Sequence, residues 1–314
     1  MSDRRRVLVG AGAMAIATMM PAGAVTAGRR SGRLIAIGGA EERGADSEIL
    51  QRFIELSGGS GARIVVLTAA SIDPMAAGKA YRRAFEALGV ENPGIVDARD
   101  RQQADDQDAA TRLREADGIF ITGGDQRRLM ASIESSAFAD AMREAYVKNG
   151  ACIAGTSAGA AALSGNMLAE GSTPALPEKD AARLDRGLGL VSRAIIDQHF
   201  SERRRLGRLL SVVAEQPTLL GLGIDEDTGL VIEHGRGIEV IGRGVVTLLD
   251  GRQMTSNIDE IEPRDRLEML GVRLHLLPAG HRYLFAEGQG AEGKLPPSLR
   301  QAVGLLVNDG DGVY

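Results

Sequence analysis

The 314-residue chain has no tryptophan, and aromatic residues make up only 3% of it. Any large core must therefore be built from Val, Ile, Leu and Ala. There is a single cysteine, Cys152, so an intrachain disulfide is excluded and the fold must hold without staples. No excess of positive charge exists either. The net charge is −5, which argues against a nucleic-acid partner. The apolar run at residues 7–20 is too short for a membrane-spanning helix. What is present, 44% hydrophobic and 25% charged residues, is the composition of an ordinary soluble globular protein. The length suits one large α/β domain or two small ones.

The first residues read as a targeting segment. Arg4, Arg5 and Arg6 precede the apolar run, and Pro21 and a small-residue stretch ending at Ala27 follow it. A positive start, a short apolar centre and a small-residue cleavage site make an export signal over residues 1–27. The arginines set directly before the apolar run resemble a twin-arginine signal, which predicts a periplasmic or extracellular protein with no stable membrane insertion after cleavage. Gly10, Gly12 and Ala15 fit a dinucleotide fingerprint by spacing. They lack a preceding strand and a downstream acidic residue, so the match is discarded.

From residue 32 the pattern alternates. Residues 33–37, 63–67, 94–96, 118–121 and 151–154 read as short buried strands, and 47–56, 76–88, 108–116 and 127–149 as helices. Continuous apolar strands separated by helices predict an α/β fold with a mostly parallel sheet flanked by helices. Ligand sites in such sheets lie beyond the strand C-terminal ends. Gly38-Gly39, Thr68 to Ser71, Gly123-Gly124 and Ser157 all fall there. Residues 165–187 read as a long connection. Short strands at 221–225, 228–233, 238–241 and 245–249 predict an antiparallel β extension, and 270–285 a further strand pair. Residues 32–250 are read as one α/β domain, the span of the family resemblance given below, and 251–314 as a C-terminal extension packed on it. The tail from residue 287 gives no reading.

The most informative feature is Gly155-Thr156-Ser157-Ala158-Gly159. An apolar strand leading into Gly-x-Ser-x-Gly and a small-residue helix start is the form of a nucleophile elbow, which lifts the serine hydroxyl clear of the sheet. A serine hydroxyl needs a base. Of the four histidines, His199 ends a strand at a sheet edge of the same kind as that of Ser157, whereas His234, His275 and His281 lie in hairpin or C-terminal segments. The third group is a carboxylate that orients the imidazole. Asp225, Glu226, Asp227 and Asp197 are all candidates, and pattern does not choose among them. Oxyanion donors are expected from the backbone of Ala158 and of the Gly123-Gly124 turn. The arginines at 203, 204, 205 and 208 begin four residues after His199, and their planar forks suit an acidic ligand. Cys152, inside the strand before the elbow, reads as a buried hydrophobe.

Gly123-Gly124-Asp125-Gln126, Gly155-Thr156-Ser157-Ala158-Gly159, Asp197-Gln198-His199-Phe200 and Gly223-Ile224-Asp225-Glu226 occur in the order found in the cyanophycinase family, and the chain resembles that family over about residues 32–250. The run from Asp197 through Arg203, Arg205 and Arg208 is the most specific part. The resemblance implies a fold related to class I glutamine amidotransferases (flavodoxin-like), with serine as nucleophile. By position it assigns Ser157 as nucleophile, His199 as base and Glu226 as acidic partner. It matches Gln126, Asp197, Gln198, Arg203, Arg205 and Arg208 to the substrate pocket, with arginines holding substrate carboxylates and Asp197 meeting guanidinium groups. It implies cyanophycin as substrate, a poly-aspartate with arginine joined to each β-carboxyl, and the β-aspartyl-arginine dipeptide as product. It also implies a homodimer and neither metal nor cofactor. An aspartyl dipeptidase of the same chemistry and an exported binding protein without turnover are the competing readings.

Overall fold

The computed structural model describes residues 32–285 and 295–308. The export segment read at residues 1–27 lies outside them. The first half of the chain runs β1 (Arg33–Ile37), α1 (Glu48–Ser57), β2 (Ile64–Leu67), α2 (Pro74–Ala87), β3 (Gly94–Val96), a short α3 (Arg101–Ala104), α4 (Gln107–Arg114), β4 (Gly118–Ile121), α5 (Gln126–Ile133), α6 (Ala137–Asn149), β5 (Cys152–Thr156) and α7 (Ala158–Leu163). The five strands are parallel, in the order β1-β5-β4-β2-β3. Every residue of β2, β4 and β5 is buried, as strands covered on both faces must be. Helices α1 to α6 each begin at a Ser or Asp whose side chain accepts a free first-turn N–H: Ser47, Asp73, Asp100, Asp106, Asp125 and Ser136.

Residues 127–149, read as one helix, are two. Ser135 takes a positive φ of 53° and Ser136 caps α6 by accepting from Ala139 N–H. The Arg101 guanidinium donates to the carbonyls of Glu134 and Ser135, so the break leaves those oxygens satisfied. Apolar spacing continues through the break, which hid it.

The second half of the chain adds two layers. The connection read at 165–187 contains a hairpin, β6 (Asn166–Gly171) and β7 (Ala182–Arg186), whose Met167, Leu168 and Ala169 are buried. Then follow β8 (Ala194–Gln198), α8 (Leu206–Glu215), β9 (Leu220–Ile224), β10 (Thr228–Glu233), β11 (Gly237–Gly242), β12 (Val245–Asp250), the short pair β13 (Thr255–Ser256) and β14 (Met269–Leu270), β15 (Arg273–Pro278), β16 (His281–Leu284) and α9 (Pro297–Val307). The antiparallel extension divides. Strands β10, β11 and β16 continue the main sheet in plane beyond β1, making eight strands. Strands β15, β12, β9 and β8 form a separate four-stranded sheet. The strand pair read at 270–285 is therefore not a hairpin: β15 joins β12, and β16 joins β11 in the other sheet. Helix α9 lies in the stretch that gave no reading; its Leu299, Ala302, Val303, Leu306 and Val307 are buried.

The scarce aromatics are concentrated. Phe53 of α1, Tyr81 and Phe85 of α2 and Phe120 of β4 pack ring against ring between those helices and the sheet, with centroids 4.7 to 6.4 Å apart. No helix among the described residues is long and apolar enough to cross a membrane.

Candidate active site

Ser157 sits between β5 and α7 with φ 52° and ψ −111°, a strained conformation for a residue with a Cβ. The turn is tight enough to require glycine on both sides. A Cβ on Gly155 would lie 2.4 Å from the Gly159 carbonyl oxygen, and one on Gly159 would lie 2.4 Å from that of Ile121. The Ser157 N–H is spent on Ile37 O at 3.0 Å, which ties the turn to β1. Its hydroxyl is left facing the sheet edge.

His199 follows β8, so the imidazole reaches Ser157 from the four-stranded sheet rather than from the main one. Its N–H donates to Gly38 O at 2.8 Å, and its φ of 48° turns the ring back over the end of β1. Gly39 is pressed against that ring: a Cβ there would lie 2.4 Å from His199 Cε1. The imidazole Nε2 lies 2.9 Å from Ser157 Oγ, and Nδ1 lies 2.6 Å from Glu226 Oε1. With Glu226 ionised, Nδ1–H donates to the carboxylate, and Nε2 is the nitrogen that accepts from the serine hydroxyl.

Of the four carboxylates open on pattern, Glu226 is the one that reaches the imidazole. Asp225 accepts from the N–H and hydroxyl of Ser201 and from Val245 N–H. Asp227 accepts from Glu42 N–H and pairs with Arg243. Asp197 is 1% exposed and accepts from both Arg205 and Arg208. It does meet guanidinium groups, but those of its own chain.

The basic run therefore has two parts. Arg205 and Arg208 are buried. Arg205 Nη1 also donates to the Gln198 carbonyl and, at 3.1 Å, to its side-chain oxygen, while its buried Nε has no partner. Burial pulls the Arg205 guanidinium down to about 10, with Asp197 opposing that fall, so it stays charged at neutral pH. Arg203 is exposed. Gln126 has committed its amide N–H groups to the carbonyls of Leu168 and Ala169, holding β6 beside the site. The Gly123-Gly124 backbone runs alongside Ser157: a Cβ on Gly123 would lie 3.3 Å from Ser157 Cβ. Gly124, at φ 145°, admits no Cβ at all, because Ala70 O would be 2.0 Å away.

One residue escaped the sequence reading. Glu41, 4% exposed, accepts from Thr156 Oγ1 at 2.5 Å and from the Tyr81 hydroxyl, bracing the residue next to Ser157. The available signal was its place just after Gly38-Gly39, at the C-terminal end of β1.

The layered α/β fold and the serine–imidazole–carboxylate array are those of a serine hydrolase. Residues 34–240 match the family model of peptidase family S51. A cyanophycinase from Geminocystis herdmanii is 38% identical over 251 residues, 80% of this chain and 92% of that one. A cyanophycinase from Trichormus variabilis is also 38% identical over 251 residues, covering 80% and 84%. The crystal structure of a peptidase from an acI-B1 Actinobacterium shares the fold, with a TM-score of 0.61 at 21% identity, over 82% of this chain and 98% of that one. The chain belongs to peptidase family S51 and is a serine-type peptidase.

Proposed function

We propose that this peptidase hydrolyses cyanophycin from a chain end, releasing β-aspartyl-arginine dipeptides. The observation that carries the chemistry is the unbroken line from Ser157 Oγ through His199 to Glu226, at 2.9 and 2.6 Å. The substrate rests on the cyanophycinase relatives. Ser157 Oγ attacks the backbone carbonyl carbon of an arginine-bearing aspartate while His199 Nε2 takes its proton. Glu226 holds the imidazole in the required tautomer and stabilises the imidazolium. The N–H groups of Ala158 and Gly124 receive the oxyanion. The imidazolium then protonates the leaving amine, and water, deprotonated by the same imidazole, releases the product from Ser157.

In this reading the exposed Arg203 is the arginine that meets a substrate carboxylate. Arg205, Arg208, Asp197, Gln198 and Gln126 shape the wall behind it. Export through residues 1–27 brings the enzyme to polymer outside the cell, and N-terminal sequencing of the mature protein checks this. A homodimer is the expected assembly, checked by sedimentation. The deciding experiment is mass spectrometry of products from cyanophycin and from Asp-X dipeptides. Release of β-aspartyl-arginine is expected; cleavage of the dipeptides alone would favour the aspartyl dipeptidase reading.

A further inference from the structure

Ser157 follows β5, and the strands beyond it toward the sheet edge are β4, β2 and β3. The segments after their C-terminal ends form a continuous ledge. Gly124, after β4, is pressed against Ala70, after β2, and Asp125 N–H donates to Ala70 O at 3.0 Å. The next residue, Ser71, accepts at its carbonyl from Arg99, which follows β3, at 2.8 Å. The ledge ends at a cavity of about 580 Å³ between α2 and β3, with Thr68, Met75, Lys79, Arg82, Arg83 and Asp97 in its wall.

Lys79, Arg82 and Arg83 stand at i, i+3 and i+4 on α2 and so share one face. All three are exposed, and none has an ion-pair partner among the described residues, although Arg52, Arg63, Arg114 and Arg127 all do. Three unpaired cations gathered on a chain of net charge −5 favour an anionic visitor. Glu86, a further exposed group in the wall, offers an acceptor beside them. Met75 at the mouth and nearby Ile72 are 84% and 83% exposed, an apolar lip suited to aliphatic stems.

We propose that this cavity is a second binding site for the polymer, holding repeats several residues from the bond being cut. The proposal rests on the cyanophycin reading above. Arginine joined through its α-amine to each β-carboxyl leaves one carboxylate and one guanidinium free on every repeat. The carboxylates meet Lys79, Arg82 and Arg83, the guanidinium groups meet Glu86, and the arginine stems cross the lip. From β5 to β3 is three strand spacings, about 14 Å, which an extended backbone covers in about four residues. A three-repeat oligomer seated at Ser157 therefore stops short of the cavity, and a long chain reaches it.

The test compares kcat/KM for long cyanophycin with kcat/KM for the three-repeat oligomer, in the unsubstituted protein and in Lys79→Gln/Arg82→Gln/Arg83→Gln. The ratio of polymer to oligomer efficiency is expected to fall about tenfold, the combined loss of several exposed charge pairs. A ratio that stays where it was overturns the proposal. Arg82→Glu alone, a single exposed change, repeats the comparison should the triple variant fold poorly; the ratio must again fall. An unsubstituted protein that cuts neither substrate is a failure of the cyanophycin reading, seen before any variant is made.

Discussion

Four carboxylates compete for one imidazole, and what separates them is the hydrogen bonds they already make. Asp225 and Asp227 are consumed in holding the turn after β9, Asp197 is enclosed by two arginines, and Glu226 is left to reach His199 Nδ1. Spacing carries no record of this, which is why Ser157 and His199 were legible as a pair and the third partner was not, short of the family resemblance. Substitution separates the two kinds of carboxylate. Glu226→Gln is expected to lower kcat by about 10³–10⁴-fold, since the amide supports the wrong tautomer, with little change in melting temperature. Asp225→Asn is expected to do the opposite. It weakens the acceptor for Ser201 and Val245, costing about 1–3 kcal/mol of stability, while the folded fraction keeps its turnover. Steady-state kinetics beside thermal melts read both.

Among the elements, the β8–α8 unit departs most from what the sequence suggested. A run of arginines after a candidate base looks ligand-facing, yet residues 201–205 turn back and α8 buries Arg205 and Arg208 against Asp197 at the end of β8. Burial is set by how α8 lies on the second sheet, a non-local fact that residue spacing does not carry. The same limit hid the split of β15 and β16 between two sheets. Buried strands such as β2 and β4 were readable because neither carries a polar side chain. Asp197→Asn leaves two buried guanidinium groups without their counter-charge and is expected to cost about 3–5 kcal/mol in urea unfolding. Arg203→Ala, at an exposed position, is expected to change stability by less than about 0.5 kcal/mol. A similar loss in both variants would mean that the Asp197 cluster carries no special weight in the fold.

At the scale of the whole molecule, the two sheets are joined through the site itself. His199 N–H on Gly38 O and Phe200 N–H on Ile224 O bind the end of β8 to the end of β1 and to β9. The site's integrity is thus coupled to the cooperative unit that contains β5. Cys152, fully buried in that central strand, reports on this unit. Burial pushes its thiol up to about 12 from a model-compound value of 9.0. Between those values the unfolded thiol loses its proton before the folded one, so this group's contribution to stability falls as pH rises through that window. At pH 8 the native thiol is expected to resist alkylation by iodoacetamide until denaturant opens the whole sheet, with labelling and loss of activity following one transition. Rapid labelling of fully active protein would contradict a buried β5.

The central claim is that Ser157 is made nucleophilic by His199. The most direct measurement is covalent labelling by a fluorophosphonate probe, located by peptide mass spectrometry and timed in the unsubstituted protein, Ser157→Ala and His199→Ala. Phosphonylation is expected at Ser157 alone, absent in the first variant and slowed by at least about 10³-fold in the second. A probe that labels the protein just as fast once the imidazole is gone, or that leaves Ser157 untouched throughout, would contradict the account.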